Sequence, residues 1–158
     1  LGLADSLASA LVLTGRVRLG VRERVDALLQ EAKLGLTGAI DSATAARIGK
    51  QLGAQAVILG SVVSLSIREE GRSVKFAEKT DRWVEIEVKA RMVDVETGEL
   101  ITSGHAASKA HSAEKHAFGG KIGSLATPES LVQEALQGLA ERLAKDLARG
   151  IPPRQPSR

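Results

Sequence analysis

From Trp83 onward, apolar residues fall on every second position. Val84, Ile86, Val88, Ala90 and Met92 alternate with Glu85, Glu87, Lys89 and Arg91. Side chains on a strand point to opposite faces in turn, so this pattern predicts an antiparallel strand with one face buried and one wet. The segment 56–68 alternates as well. Val57, Leu59, Val63, Leu65 and Ile67 share one parity. The other parity begins apolar at Ala56, Ile58 and Val62 and turns polar at Ser64 and Ser66. Such a strand starts inside a sheet and runs out towards solvent. Glu96-Thr97-Gly98 suits a three-residue hairpin loop with Gly98 left-handed. The return strand, Leu100 to about Ser108, is polar and alanine-rich and is expected at a sheet edge.

Helical spacing accounts for much of the rest. Leu3, Leu7, Ala10 and Leu11 share a face that Gly15 closes off. A short strand, Val17 to Val21, is expected next. Val25, Leu28, Leu29 and Ala32 then form an amphipathic stripe among charges, followed by a loop at Gly35–Gly38. Asp41 or Ser42 caps a third helix that presents Ala45, Ile48 and Leu52 and stops at Gly53. Thr127-Pro128-Glu129 is a helix start, and Leu131, Val132, Ala135, Leu136, Leu139, Leu143 and Leu147 make a long apolar stripe behind it. Residues 69–81, charged and glycine-containing, are expected to form a hairpin tip or loop. Residues 111–126, with Gly119, Gly120 and Gly123, are expected to be loop. The sum is an α+β fold, sandwich-like, with a mostly antiparallel sheet of about four strands packed by three or four helices and a long C-terminal helix. Residues 1–150 read as one domain and residues 151–158 as a disordered proline-rich tail.

Composition narrows the chemistry. Among 158 residues there is no cysteine, which excludes disulfides and thiolate chemistry. Only Phe76, Trp83 and Phe118 are aromatic, so Leu, Val, Ile and Ala must build the core. A net charge of +3 specifies no partner. No apolar run approaches the ~20 residues of a membrane helix. The chain opens at Leu1 in helical pattern without a start methionine, and so reads as a trimmed or processed piece whose natural N-terminus is missing.

No reactive constellation emerges. His111 and His116 flank Glu114 and Lys115, superficially like a zinc signature, but the spacing is one residue too long. Five residues turn the second imidazole about 140° away on a helix and to the opposite face on a strand. His105 lies at an even offset from His111 without a third ligand, so no metal is expected. Gly119-Gly120-Lys121-Ile122-Gly123-Ser124 lacks the Gly-Lys-Ser/Thr of a phosphate loop, and no serine sits in a nucleophile elbow. Neither catalytic residues nor cofactors are predicted. The row Glu85, Glu87, Lys89, Arg91 is a candidate interaction surface. Nucleic-acid binding is not expected, because a sheet that binds bases needs exposed aromatics and only Trp83 is near.

The stretch from Thr44 through Gly53 to Val62, together with Val93-Asp94-Val95-Glu96-Thr97-Gly98-Glu99-Leu100, resembles the CsgG-type family, the curli production assembly/transport components of the bacterial envelope. Gly2-Leu3-Ala4-Asp5, the Val21–Glu31 helix and the terminal helix extend the likeness over most of the chain. The resemblance implies a non-enzymatic protein of the periplasm or outer membrane, in a family whose best-known members are lipoproteins that form secretion rings. It implies action by self-association or by docking onto other envelope or secretion proteins. The alternative is a soluble periplasmic regulatory module of the same fold, such as an activator of a cell-wall synthase. Residues 66–84 and 103–125 would occupy the positions of the family's two membrane hairpins. The first of these carries charge on both parities, from Glu69 to Arg82, against the alternation a lipid-facing strand needs. Membrane association is accordingly expected only indirectly or through a missing N-terminal anchor.

Overall fold

The computed structural model describes residues 2–20, 22–31 and 40–152. Its elements run α1 (Leu3–Leu13), α2 (Arg22–Glu31), α3 (Ser42–Gln51), β1 (Ala56–Val74), β2 (Ala77–Asp94), β3 (Leu100–Ala117), β4 (Gly120–Ile122) and α4 (Pro128–Ala148). The strands pair as a wholly antiparallel sheet in the order β1-β2-β3-β4, an α+β architecture with the expected long C-terminal helix.

The core follows directly from two periodicities. Val84, Ile86, Val88 and Met92 of β2 are at most 2% exposed. They meet the stripe of α4, where Leu136, Leu139, Leu143 and Leu147 are fully buried. Burying those four leucines contributes on the order of 6–12 kcal/mol before chain entropy is counted. Thr127 caps α4 by accepting the Ser130 N–H at 3.1 Å. At the other end, Arg16 donates to the carbonyls of Ala148 at 2.7 Å and Ile151 at 3.2 Å, so a cation satisfies the terminal acceptors where the helix dipole is negative. Helix α1 lies beside α4, with Leu7 and Leu11 in the same core.

Among the described residues, α3 packs on the opposite face of the sheet at one end. Asp41 caps α3 through the Thr44 N–H at 2.7 Å. Ala45, Ile48 and Gly49 of α3 are buried against the sheet. Gly49 is required by space: a Cβ there would stand 2.5 Å from a Val95 methyl and 2.6 Å from a Val57 methyl. Gly98 takes φ +73° in the β2–β3 turn, where Asp94 accepts the N–H groups of Glu96 and Thr97.

Four expectations are corrected. Val17 to Gly20 form no strand, and Val21 lies outside the described residues, as do Ala32 and the Gly35–Gly38 loop. Residues 69–81 are strand, not loop, except for the two-residue turn at Lys75-Phe76. Likewise β3 continues past Ser108 to Ala117, and the short β4 folds back on its end. The physical reason is polar pairing. On the α4 side of the sheet, Arg82 donates to the Ala126 carbonyl at 2.6 Å and to Glu69, Ser112 accepts the Ala126 N–H at 2.9 Å, and Glu114 accepts the Leu125 N–H at 3.0 Å. Hydrogen bonds replace apolar contact there, so hydrophobic alternation does not reveal the strands. Finally, a bulge between Val62 and Ser64 shifts the register of β1. Its extra residue flips the parity. Leu65 and Ile67 therefore lie opposite Ile86 and Val84 on the core face with Ile58 and Val62, not with Val57 and Leu59.

Candidate functional site

The predicted row Glu85, Glu87, Lys89, Arg91 does lie on the face away from α4, but cross-strand neighbours divide it. Glu85 receives Lys109 at 3.1 Å and lies 4.0 Å from Arg68. Glu87 is bonded to His105 and accepts from Ser64, and the His105 hydrogen bond holds its carboxyl below the usual range. Arg91 donates to the Ile40 carbonyl at 3.1 Å, beside the entry to α3. Lys89 is exposed and, among the described residues, has no ion-pair partner.

Every histidine is paired with a carboxylate. His111 stacks on Trp83 with centroids 5.1 Å apart and meets Asp81 at 2.7 Å, while Arg68 lies over the indole at 5.4 Å. Asp81 is only 7% exposed, and its hydrogen bond to His111 depresses its pKa. His116 meets Glu114 at 2.6 Å on the other face. That bond, then the Leu125 N–H, lowers the Glu114 pKa to about 2. Among the described residues no three such groups converge on a point where a metal ion would fit. Two of the pairings follow from register, Trp83 opposite His111 and Glu87 diagonal to His105, whereas Glu114 and His116 are neighbours on one face of β3.

Contact surface is the more prominent feature. Among the described residues, β1 is an edge strand for all of its 19 residues. Val62, Leu65 and Ile67 continue the core's apolar layer out to that edge, where they are 36–50% exposed. A cleft of about 1040 Å³ also opens between α2, α3 and the sheet, walled by Val25, Leu29, Ile48 and Leu59 with Lys89 and His105 near its rim. Residues 32–39, which join its two helical walls, lie outside the described residues.

The site region is thus a helix-backed antiparallel sheet with an apolar edge strand, on which each histidine is bonded to a carboxylate. The family of the curli production assembly/transport component CsgG matches residues 1–153, and the chain belongs to that family. Members of the family form oligomers and work in envelope machinery. Among solved structures, the fold is similar to that of lipoprotein GNA1162 from Neisseria meningitidis. That match has a TM-score of 0.52 and 17% identity, and covers 91% of this chain and 85% of the other. A Caulobacter crescentus CB15 structure provisionally described as a lipoprotein also matches, with a TM-score of 0.31, 13% identity and 92% of each chain covered. No curated protein sequence matches the chain.

Proposed function

We propose that this chain is a non-enzymatic domain of a bacterial envelope assembly or secretion system, at the periplasmic side of the outer membrane, that works by associating with further copies of itself. The observation that carries this reading is the β1 edge. It presents unpaired backbone groups along one margin of the sheet, with Val62, Leu65 and Ile67 exposed beside them. An open edge flanked by apolar side chains is a template for pairing with another chain. Family membership and the likeness to a lipoprotein support the envelope setting. No catalytic step is part of this reading, in which each histidine is held by a hydrogen bond to a neighbouring carboxylate.

Light scattering together with electron microscopy tests it. Rings or discrete oligomers are expected, and a variant with Leu65→Glu and Ile67→Glu is expected to be a folded monomer. A parent chain that stays monomeric at high concentration and binds one partner protein instead would replace self-association with the regulatory-module reading.

A further inference from the structure

The cleft between α2, α3 and the sheet changes character along its length. Strand register sets its floor in rows. Val57 lies opposite Val93 beneath α3, Leu59 shares the next row with Arg91 and Ser103, and Ser61 shares the outermost with Lys89 and His105. The distance from Val57 to Ser61 is about 13 Å at strand rise. Val25 and Leu29 of α2 and Ile48 of α3 wall the apolar part. One end of the cleft is therefore hydrocarbon and the other is cationic.

Two observations point to a ligand. The first is the state of α2. Amphipathic helices ordinarily bury their apolar stripe on the core. No described residue of α2 is buried, and Val25 and Leu29 stay half-buried with the cleft before them. The second is the charge at the outer rows. The Asp41 carboxylate is turned to its own helix, where it accepts the Thr44 N–H at 2.7 Å. His105 is held by Glu87, and Arg91 gives one N–H to the Ile40 carbonyl. Lys89 feels the charge of Glu87 without pairing to it. Among the described residues Lys89 has no ion pair, and the Ser61 and Ser103 hydroxyls have no hydrogen-bond partner.

An apolar channel ending at a free ammonium and two free hydroxyls complements an amphiphile with one anionic head. Size separates the candidate occupants. A three-turn helix with its side chains needs roughly 1300–1800 Å³, and the cleft offers about 1040 Å³. Small-molecule cavities commonly reach about 1000 Å³. A small polar metabolite would leave the apolar walls facing water. We propose that the cleft binds a long-chain fatty acid. Its acyl chain lies against Val25, Leu29, Ile48 and Leu59, and its carboxylate meets Lys89, with Ser61 and Ser103 donating to it. Arg91 adds a second positive charge beside the head group. The site is separate from the apolar row of β1, because Val62, Leu65 and Ile67 lie on the other face of the sheet.

Titration of the full chain with cis-parinaric acid, a fluorescent fatty acid, tests this. A saturable rise in fluorescence at one probe per chain is expected. Dodecanoate should reverse it and tetradecanoate should do so at lower concentration, since each added methylene tightens binding about two- to fourfold. Methyl dodecanoate, which lacks the charge, should compete at least about tenfold less well. Lys89→Gln should weaken the acid about five- to tenfold and change the ester little. Leu29→Glu should abolish uptake, with little change in the melting of the core under α4. The Leu65→Glu, Ile67→Glu chain should take up the probe as the parent does, so this site and self-association can fail separately. No saturable uptake, equal competition by acid and ester, or undiminished binding in either Lys89→Gln or Leu29→Glu would overturn the proposal. So would an oligomer that Leu29→Glu disperses while the parent takes up no probe, which would seat a second copy in the cleft.

Discussion

Substituting Gly49 by alanine sets two effects of known size against each other. In an isolated helix the change stabilises by about 1 kcal/mol, because alanine has less backbone freedom to lose. In α3 the new Cβ would meet methyls of Val95 and Val57 at 2.5 and 2.6 Å, closer than real Cβ atoms come. Both neighbours are β-branched and stiff at χ1, and Val95 is 8% exposed, so neither has much room to retreat. Overpacking of this kind costs about 1–3 kcal/mol, so with both neighbours confined the steric term is expected to win, by up to about 2 kcal/mol. Because α3 is held mainly by Ala45, Ala46, Ile48 and Gly49, the strain should be relieved by lifting the helix. The core under α4, on the other face, should be affected less. Native-state hydrogen exchange of residues 46–51 would read this as faster local opening in Gly49→Ala, with only a small fall in the global melting temperature. Slower exchange in the variant would mean that helix propensity dominates and that α3 does not approach the sheet this closely.

Two further outcomes can be checked. Leu139 is fully buried at the middle of α4, so Leu139→Ala should lose about 2–5 kcal/mol in urea unfolding and Leu139→Asp should not fold. A soluble Leu139→Asp protein with a cooperative melt would show that the helix is not docked. The Glu114 pKa is lowered to about 2, first by the His116 hydrogen bond and then by the Leu125 N–H. A depressed carboxylate contributes stability above its unfolded value, 4.5, and loses it as pH falls towards 2. Exchange at the Leu125 amide, followed by NMR, should accordingly accelerate over that interval in the parent chain. In Glu114→Gln the amide should exchange faster at neutral pH and depend less on acid. Identical acid profiles in the two proteins would show that Glu114 does not hold the Leu125 amide.

The pairing of segments 66–84 and 103–125 into one long sheet bears on the family comparison. On the α4 side they carry Arg82, Ser112 and Glu114, each hydrogen-bonded to the segment leading into α4. The α4-side face of these strands is thereby committed to the domain itself.

What the amino-acid order determines here is everything carried by neighbours within about four residues. The alternation from Val84 to Met92, the stripe of α4, the caps Asp41 and Thr127 and the left-handed Gly98 are all local, because strand and helix periods and cap chemistry are properties of short windows. Tertiary structure alone decided what depends on register. The bulge at Val62–Ser64 reassigns Leu65 and Ile67 to the core face, and strand pairing joins His111 to Asp81 and aligns Arg72, Lys79 and Lys115. It also brings Phe76 within hydrogen-bond reach of Phe118 across a sequence separation of forty-two residues. A one-residue slip moves every side chain to the other face, so no local window could have fixed these contacts before the strands were paired.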